Sequence, residues 1–268
     1  MRVTVDDAAF EVQDEGRGDA IVLLHGFPLT HAIWTEQVAA LRARARILAL
    51  DLRGMGNSSV TAGPYLIESL AGDLAAVLDS LHVKNVTIVG HSLGGYVAMA
   101  FCRMYVERVD RLALICSTLA ADSAETAGFR EALADRIERV HTMEPVVEAY
   151  MPKLFARRTI EENPYALTFA ETLTRSNAPE GAAAMLRGMA ARVGSYDIAE
   201  DLRMPVLIVA GARDTIVPPE EAGRIRDAFP NATLQVMPKS AHVPMLEEPA
   251  ELTRVIAEFA AVRDGEKR

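Results

Sequence analysis

The sequence predicts an α/β fold: a mostly parallel sheet with helices on both faces and a helical cap over it. Three observations predict it. Short, nearly continuous apolar runs such as AIVLLH at 20–25 read as strands buried on both faces. Helical patterns alternate with them, which implies parallel pairing through crossovers. Residues 118–200 break that rhythm and look helical throughout.

The elements follow in order. Residues 3–5 and 10–13 flank Asp6-Asp7 and read as an opening hairpin. The strand at 20–25 precedes a helix over 31–43, and RILALD at 46–51 is a second buried strand. Leu70, Leu74, Val77, Leu78 and Leu81 form one stripe of a helix over 66–82. NVTIVG at 85–90 is a strand leading into a helix over 93–106, and RLALIC at 111–116 is another strand. PVLIVA at 205–210 and residues 233–236 are the last strands, with helices over 219–228 and 249–262. Between them, Phe129, Leu133, Ile137 and Val140 space as one helical face, and Met185, Leu186 and Met189 suggest another. Pro145, Pro152, Pro164 and Pro179 divide this stretch into short helices. Residues 1–117 and 201–268 are thus read as the core, and 118–200 as a cap insertion.

Length and composition set outer bounds. A chain of 268 residues suits one large domain, and 50% hydrophobic with 24% charged residues is ordinary for a folded protein. A net charge of −9 argues against nucleic-acid binding, because the chain repels phosphate backbones. Cys102 and Cys116 belong to no ligand cluster and lie in apolar stretches, so they read as core residues and no metal site is expected. The N-terminus lacks a secretory pattern and no run approaches membrane-spanning length, so a cytoplasmic location without membrane association is expected. A monomer or homodimer acting on a small molecule is expected.

The chemistry concentrates at strand ends. Gly90-His91-Ser92-Leu93-Gly94-Gly95 is a G-x-S-x-G turn between a strand and a helix, which pushes a serine hydroxyl into a cleft. A serine needs a base. His242 follows the last strand, whereas His31, His82 and His141 read as surface or structural. His91 adjoins the serine but should point away from it. Asp214, after the strand at 205–210, lies between Ser92 and His242 in chain order and is the favoured orienting acid. The other position, after the strand at 111–116, offers no acid before Asp122. The backbone N–H groups of Phe27 and Leu93 are the natural oxyanion donors. The glycine-rich loop 51–58 is neither G-x-G-x-x-G nor a P-loop and reads as structural, with Asp51 and Arg53 in hydrogen bonds and ion pairs.

LLHGFP at 23–28, DLRGMGNSS at 51–59, GHSLGG at 90–95, GARDTIVPP at 211–219 and SAHVPMLEEP at 240–249 together resemble the α/β-hydrolase superfamily. The resemblance is nearest to small bacterial carboxylesterases and 3-oxoadipate enol-lactonases. It implies an eight-stranded sheet, a helical lid and no cofactor. It also implies Ser92 as nucleophile, Asp214 as acid, His242 as base, and Phe27 and Leu93 as oxyanion donors. Dehalogenases and epoxide hydrolases place an aspartate where Ser92 stands.

The expected function is hydrolysis of carboxylic esters with small apolar acyl or aromatic groups, through an acyl-enzyme. Leu119, Phe129, Tyr150, Met185, Val217 and Val243 are the expected substrate-binding residues, with Leu133, Phe155 and Met189 as further candidates. The alternatives are an enol-lactonase, a cofactor-free haloperoxidase or perhydrolase, and a non-catalytic receptor. Arg136, Arg157 or Arg187 reaching the cleft would favour the lactonase.

Overall fold

Asp6 turns the chain through its first reversal with a left-handed φ of 49°. Aspartate tolerates that conformation because its short side chain bonds locally. In the computed structural model, which describes residues 1–260, β1 (Arg2–Val5) and β2 (Ala8–Glu15) pair antiparallel across this turn. The chain continues through β3 (Ala20–Leu24), α1 (Thr35–Leu41), β4 (Arg46–Leu50), α2 (Ile67–Ser80), β5 (Val86–His91), α3 (Leu93–Tyr105) and β6 (Val109–Ile115).

Helices alone then follow: α4 (Ala124–Val140), α5 (Glu144–Leu154), α6 (Arg157–Glu162), α7 (Pro164–Arg175), α8 (Pro179–Ala190) and α9 (Tyr196–Ala199). The sheet resumes with β7 (Val206–Gly211), α10 (Pro219–Ala228), β8 (Ala232–Met237), α11 (Pro244–Glu247) and α12 (Pro249–Phe259). Residues 261 and 262 of the last predicted helix lie outside the described residues.

The sheet has eight strands in the order β1-β2-β4-β3-β5-β6-β7-β8. From β4 to β8 every pairing is parallel. The chain runs from β3 outward to β4, then returns to place β5 on the other side of β3. That reversal opens a crevice at the carboxyl ends of β3 and β5, where such sheets bind ligands. Alternate residues feed two cores. Val22 and Leu24 join Leu70, Leu74, Val97 and Phe101 on one face. Ile21 and Leu23 join Val38, Leu41, Leu252 and Ile256 on the other.

Three details depart from expectation. The helix expected over 31–43 begins as a 3-10 turn at His31–Trp34. There Asp51 Oδ1 accepts from both the backbone N–H and the ring Nδ1 of His31 at 2.8 Å, which pins the entry of the segment. On α4, which packs against α8, Leu133 and Ile137 are buried, but Phe129 and Val140 are exposed. Pro145, Pro164 and Pro179 open helices, where a missing N–H is harmless, whereas Pro152 lies inside α5. Among the described residues no helix is long and apolar enough to cross a membrane.

Candidate active site

β5 delivers Ser92 into a strained turn. Its φ of 50° and ψ of −113° lie outside the ordinary regions for a residue with a Cβ. The surroundings hold it there. Its N–H donates to Ile115 O at 2.9 Å, and its carbonyl accepts from Ser117 Oγ at 2.8 Å. The turn also needs two glycines: a Cβ on Gly90 would strike the backbone of Gly94, and one on Gly94 would strike that of Leu24.

Asp214 follows β7. Its Oδ1 accepts from the N–H groups of Ile216 and Val217 at 2.8 and 3.0 Å, and its Oδ2 bonds His242 Nδ1 at 2.8 Å. Both side chains are buried. Asp122, the acid at the other position, instead bonds Arg130 and Arg192. Ser92 and His242 line one cavity of about 560 Å³. No hydrogen bond joins Ser92 Oγ to His242 Nε2 among the described residues; such bonds commonly tighten only when substrate binds. The N–H groups of Phe27 and Leu93 have no acceptor among the described residues.

The loop carrying His242 is tied down on several sides. Its N–H donates to Leu154 O at 3.0 Å, at the end of α5. Its carbonyl accepts from His91 Nε2 at 2.8 Å. His91 thus points away from the cleft, as expected, and also steadies the backbone of His242. Burial, and then the neighbouring His242, hold its pKa well below the ordinary value, so it stays neutral. Glu247 accepts from the N–H groups of Ala241 and Ala156 at 2.7 and 2.8 Å, joining this loop to the segment before α6. Neither supporting role for His91 nor that for Glu247 was visible in the sequence, beyond their places in GHSLGG and SAHVPMLEEP.

Phe129 and Tyr150 line the cavity, as does Met189. The other expected binding residues do not. Leu119 and Met185 are packed in one core and Val243 in the other, while Val217 is buried beside Asp214, which it anchors. Leu133 is likewise core, and Phe155 lines a separate cavity. Arg136, Arg157 and Arg187 form surface ion pairs with Glu148, Glu161 and Glu138.

Sequence reasoning missed Arg130, which reaches the cavity from α4. Its Nε bonds Asp122 Oδ2 at 2.5 Å and its Nη1 bonds Tyr150 OH at 3.2 Å. Arg192 bonds Asp122 Oδ1 at 2.8 Å and lies 3.9 Å over the Tyr96 ring. Two guanidinium groups thus share one carboxylate, leaving one positive charge in excess in a cluster of which Arg130 faces the cavity. Glu125 and Lys153 add one charge of each sign there. The wall is therefore mixed rather than apolar. Its one sequence clue was that Asp122 and Arg130 bracket the start of α4.

Among the described residues one cluster offers metal-ligand atoms: those of Cys116, Asp214 and His242 lie within 4.8 Å of one another. The donor set fits a metal poorly. His242 Nδ1 and Asp214 Oδ2 are engaged with each other, and burial pushes the Cys116 thiol well above its ordinary pKa, so it stays protonated. Burial also raises the Cys102 thiol, to about 12.

The loop after β4 is structural, as expected. Arg53 pairs with Asp73 at 2.5 Å, and His25 Nε2 accepts from Leu52 N–H at 3.0 Å. Burial works against charge on both His31 and Asp51 and is the largest single influence on each, but their mutual hydrogen bond together with the attraction of nearby charges outweighs it: His31 is raised above its ordinary pKa and Asp51 is lowered below its own. The histidine contribution is full below the unfolded value of about 6.5 and fades as pH rises through the raised folded value. The aspartate contribution is full above about 3.9 and fades as pH falls through the lowered one. His31→Gln is therefore expected to cost about 1–2 kcal/mol near pH 5 and distinctly less at pH 9, read by denaturant melts of both proteins. An equal loss at both pH values would contradict this.

A family model described as the alpha/beta hydrolase fold matches residues 19–249. An esterase from Thermogutta terrifontis, solved with malate bound, superposes with a TM-score of 0.93 at 33% identity, covering 98% of this chain and 100% of that one. The pimeloyl-[acyl-carrier protein] methyl ester esterase of Aeromonas hydrophila is 29% identical, over 92% of this chain and 98% of its own. The 3-oxoadipate enol-lactonase 2 of Acinetobacter baylyi is 24% identical, over 95% of this chain and 94% of its own.

Proposed function

The chain belongs to the α/β-hydrolase fold family, and on that premise we propose that it is a serine hydrolase of carboxylic esters. One observation carries the reading. A buried His242–Asp214 pair opens into the same cavity as a serine held at positive φ. In this mechanism His242 takes the Ser92 proton and Ser92 Oγ attacks the ester carbonyl. The N–H groups of Phe27 and Leu93 hold the oxyanion; each such donor stabilises the transition state by about 3 kcal/mol. The alcohol leaves with a proton from His242, and water activated by His242 frees the acid. Asp214 keeps the imidazole in the tautomer that presents Nε2 to Ser92. Residues 118–200 act as the cap over this cavity, contributing Phe129, Tyr150 and Met189 to its wall.

Arg130 favours a second reading, a lactonase whose substrate carries a carboxylate. The enol-lactonase relative and the malate-bound esterase are consistent with it. A screen of neutral esters, carboxylate-bearing esters and enol-lactones decides between the two. For the lactonase, Arg130→Gln should raise KM for carboxylate-bearing substrates about 10–100-fold, the worth of a charged hydrogen bond, and leave neutral esters unchanged. Turnover of neutral esters alone, indifferent to Arg130→Gln, supports the simple esterase. Turnover of none of the three classes overturns both.

A further inference from the structure

A second cavity adjoins the first. It has a volume of about 510 Å³ and shares Lys153 and Thr215 with the cleft that holds Ser92 and His242. Its walls come from three places: the end of α5 and start of α6, the loop after β7, and the loop after β8. Those are also the segments that hold Asp214 and His242, so whatever occupies it lies beside the reacting centre.

Its charge is opposite to that of the protein. The chain carries −9 overall. Yet Lys153, Arg157, Arg158, Arg213 and Lys239 line this cavity, and Glu161 is the acid among its walls. Arg157 is paired with Glu161, and Arg158 with Glu162, both at 2.7 Å. Lys153 lies 5.8 Å over the Phe129 ring. Lys153, Arg213 and Lys239 have no carboxylate within ion-pair distance among the described residues. Three exposed cations from three separate segments thus line one cavity with no ion-pair partner among the described residues. An anion bound in the cavity would be attracted by all three.

We propose that this cavity binds a phosphate group carried on an extended arm of the ester substrate. Three unpaired cations match a phosphate monoester, which carries close to two charges at neutral pH, better than a single carboxylate. The volume exceeds that of a free phosphate ion and suits the arm that bears it. The two cavities lie side by side across Lys153 and Thr215, so a molecule that extends past these residues would place its ester at Ser92 and its phosphate among Lys153, Arg213 and Lys239. The proposal rests on the esterase reading for its chemistry and on the second cavity for its specificity.

The test uses butyryl esters of linear diols, HO–(CH₂)n–OH with n from 2 to 8, each with its free end either phosphorylated or bare. At the best n, kcat/KM for the phosphorylated ester should exceed that of its bare partner about 10-fold or more, mostly through KM. The preference should shrink in 0.5 M salt, as expected for charges near the surface. Arg213→Gln/Lys239→Gln should abolish it and leave the bare ester unchanged, and Lys239→Gln alone should reduce it. Equilibrium dialysis of hexanediol monophosphate, against inorganic phosphate as reference, reads the site without turnover. Tight binding of the diol phosphate that the double variant loses supports the proposal. Equal binding of inorganic phosphate would mean a free-anion site and overturn the arm. Bare esters turned over with no phosphate preference at any n, or a preference the variants leave intact, overturns the proposal while the esterase reading stands. Diol phosphate bound through these residues with no ester cleaved overturns the esterase reading alone.

Discussion

Ser92→Ala is expected to lower kcat for ester hydrolysis by roughly 10⁴-fold or more, a loss of about 5.4 kcal/mol of transition-state stabilisation. No neighbouring group can replace the alkoxide. Ser117, just after β6, places a hydroxyl beside the turn, but its Oγ already donates to Ser92 O. Cys116 lies close to Asp214 and His242, but burial keeps its thiol protonated and it contacts Ala241 O rather than the cleft. The substitution should leave the fold intact, because the bonds at residue 92 that hold the turn are made by its backbone. The measurement pairs initial rates with covalent labelling by a fluorophosphonate. Wild type should label once, at Ser92, and the variant not at all. Undiminished turnover in contaminant-free variant would remove Ser92 from the mechanism.

Asp214→Asn is expected to cost about 10³–10⁴-fold in kcat with little loss of stability. The amide oxygen can keep the two bonds that Asp214 Oδ1 accepts from Ile216 and Val217. That choice turns the amide NH₂ toward His242 Nδ1, where Oδ2 now accepts. Nδ1 must then be the acceptor, the ring proton moves to Nε2, and the base faces Ser92 already protonated. The defect is one of tautomer rather than of packing. Because a basic imidazole is what is missing, the residual rate should rise toward high pH as hydroxide assists attack. A variant with wild-type kcat would show that His242 needs no orienting acid; one that fails to fold would show Asp214 to be a scaffold residue.

Much of the fold could be read locally. β3, β5 and β7 are apolar along their length because both faces are covered, and that pattern needs no knowledge of distant contacts. Phe27, Ser92, Asp214 and His242 follow β3, β5, β7 and β8, so they gather at one sheet edge once the strands are parallel. Positions on α4 to α9 were another matter. Met185 and Met189 lie one helical turn apart on α8, about 6 Å along its axis, and share a face by spacing. Met189 reaches the cleft and Met185 is buried in the core below it. The same limit concealed Arg130, whose neighbours Asp122, Tyr150 and Met189 come from three different segments.

The sequence by itself determined the α/β class, the parallel pairing and the place of Ser92 at a strand-to-helix turn, because each depends on residues close together in the chain. Tertiary structure decided which side chains face Ser92, that an arginine stands among them, and that unpaired cations collect in the cavity next door. Those features depend on how α4, α5 and α8 settle on the sheet, and a periodic pattern records which face of a helix is buried but not what it is buried against.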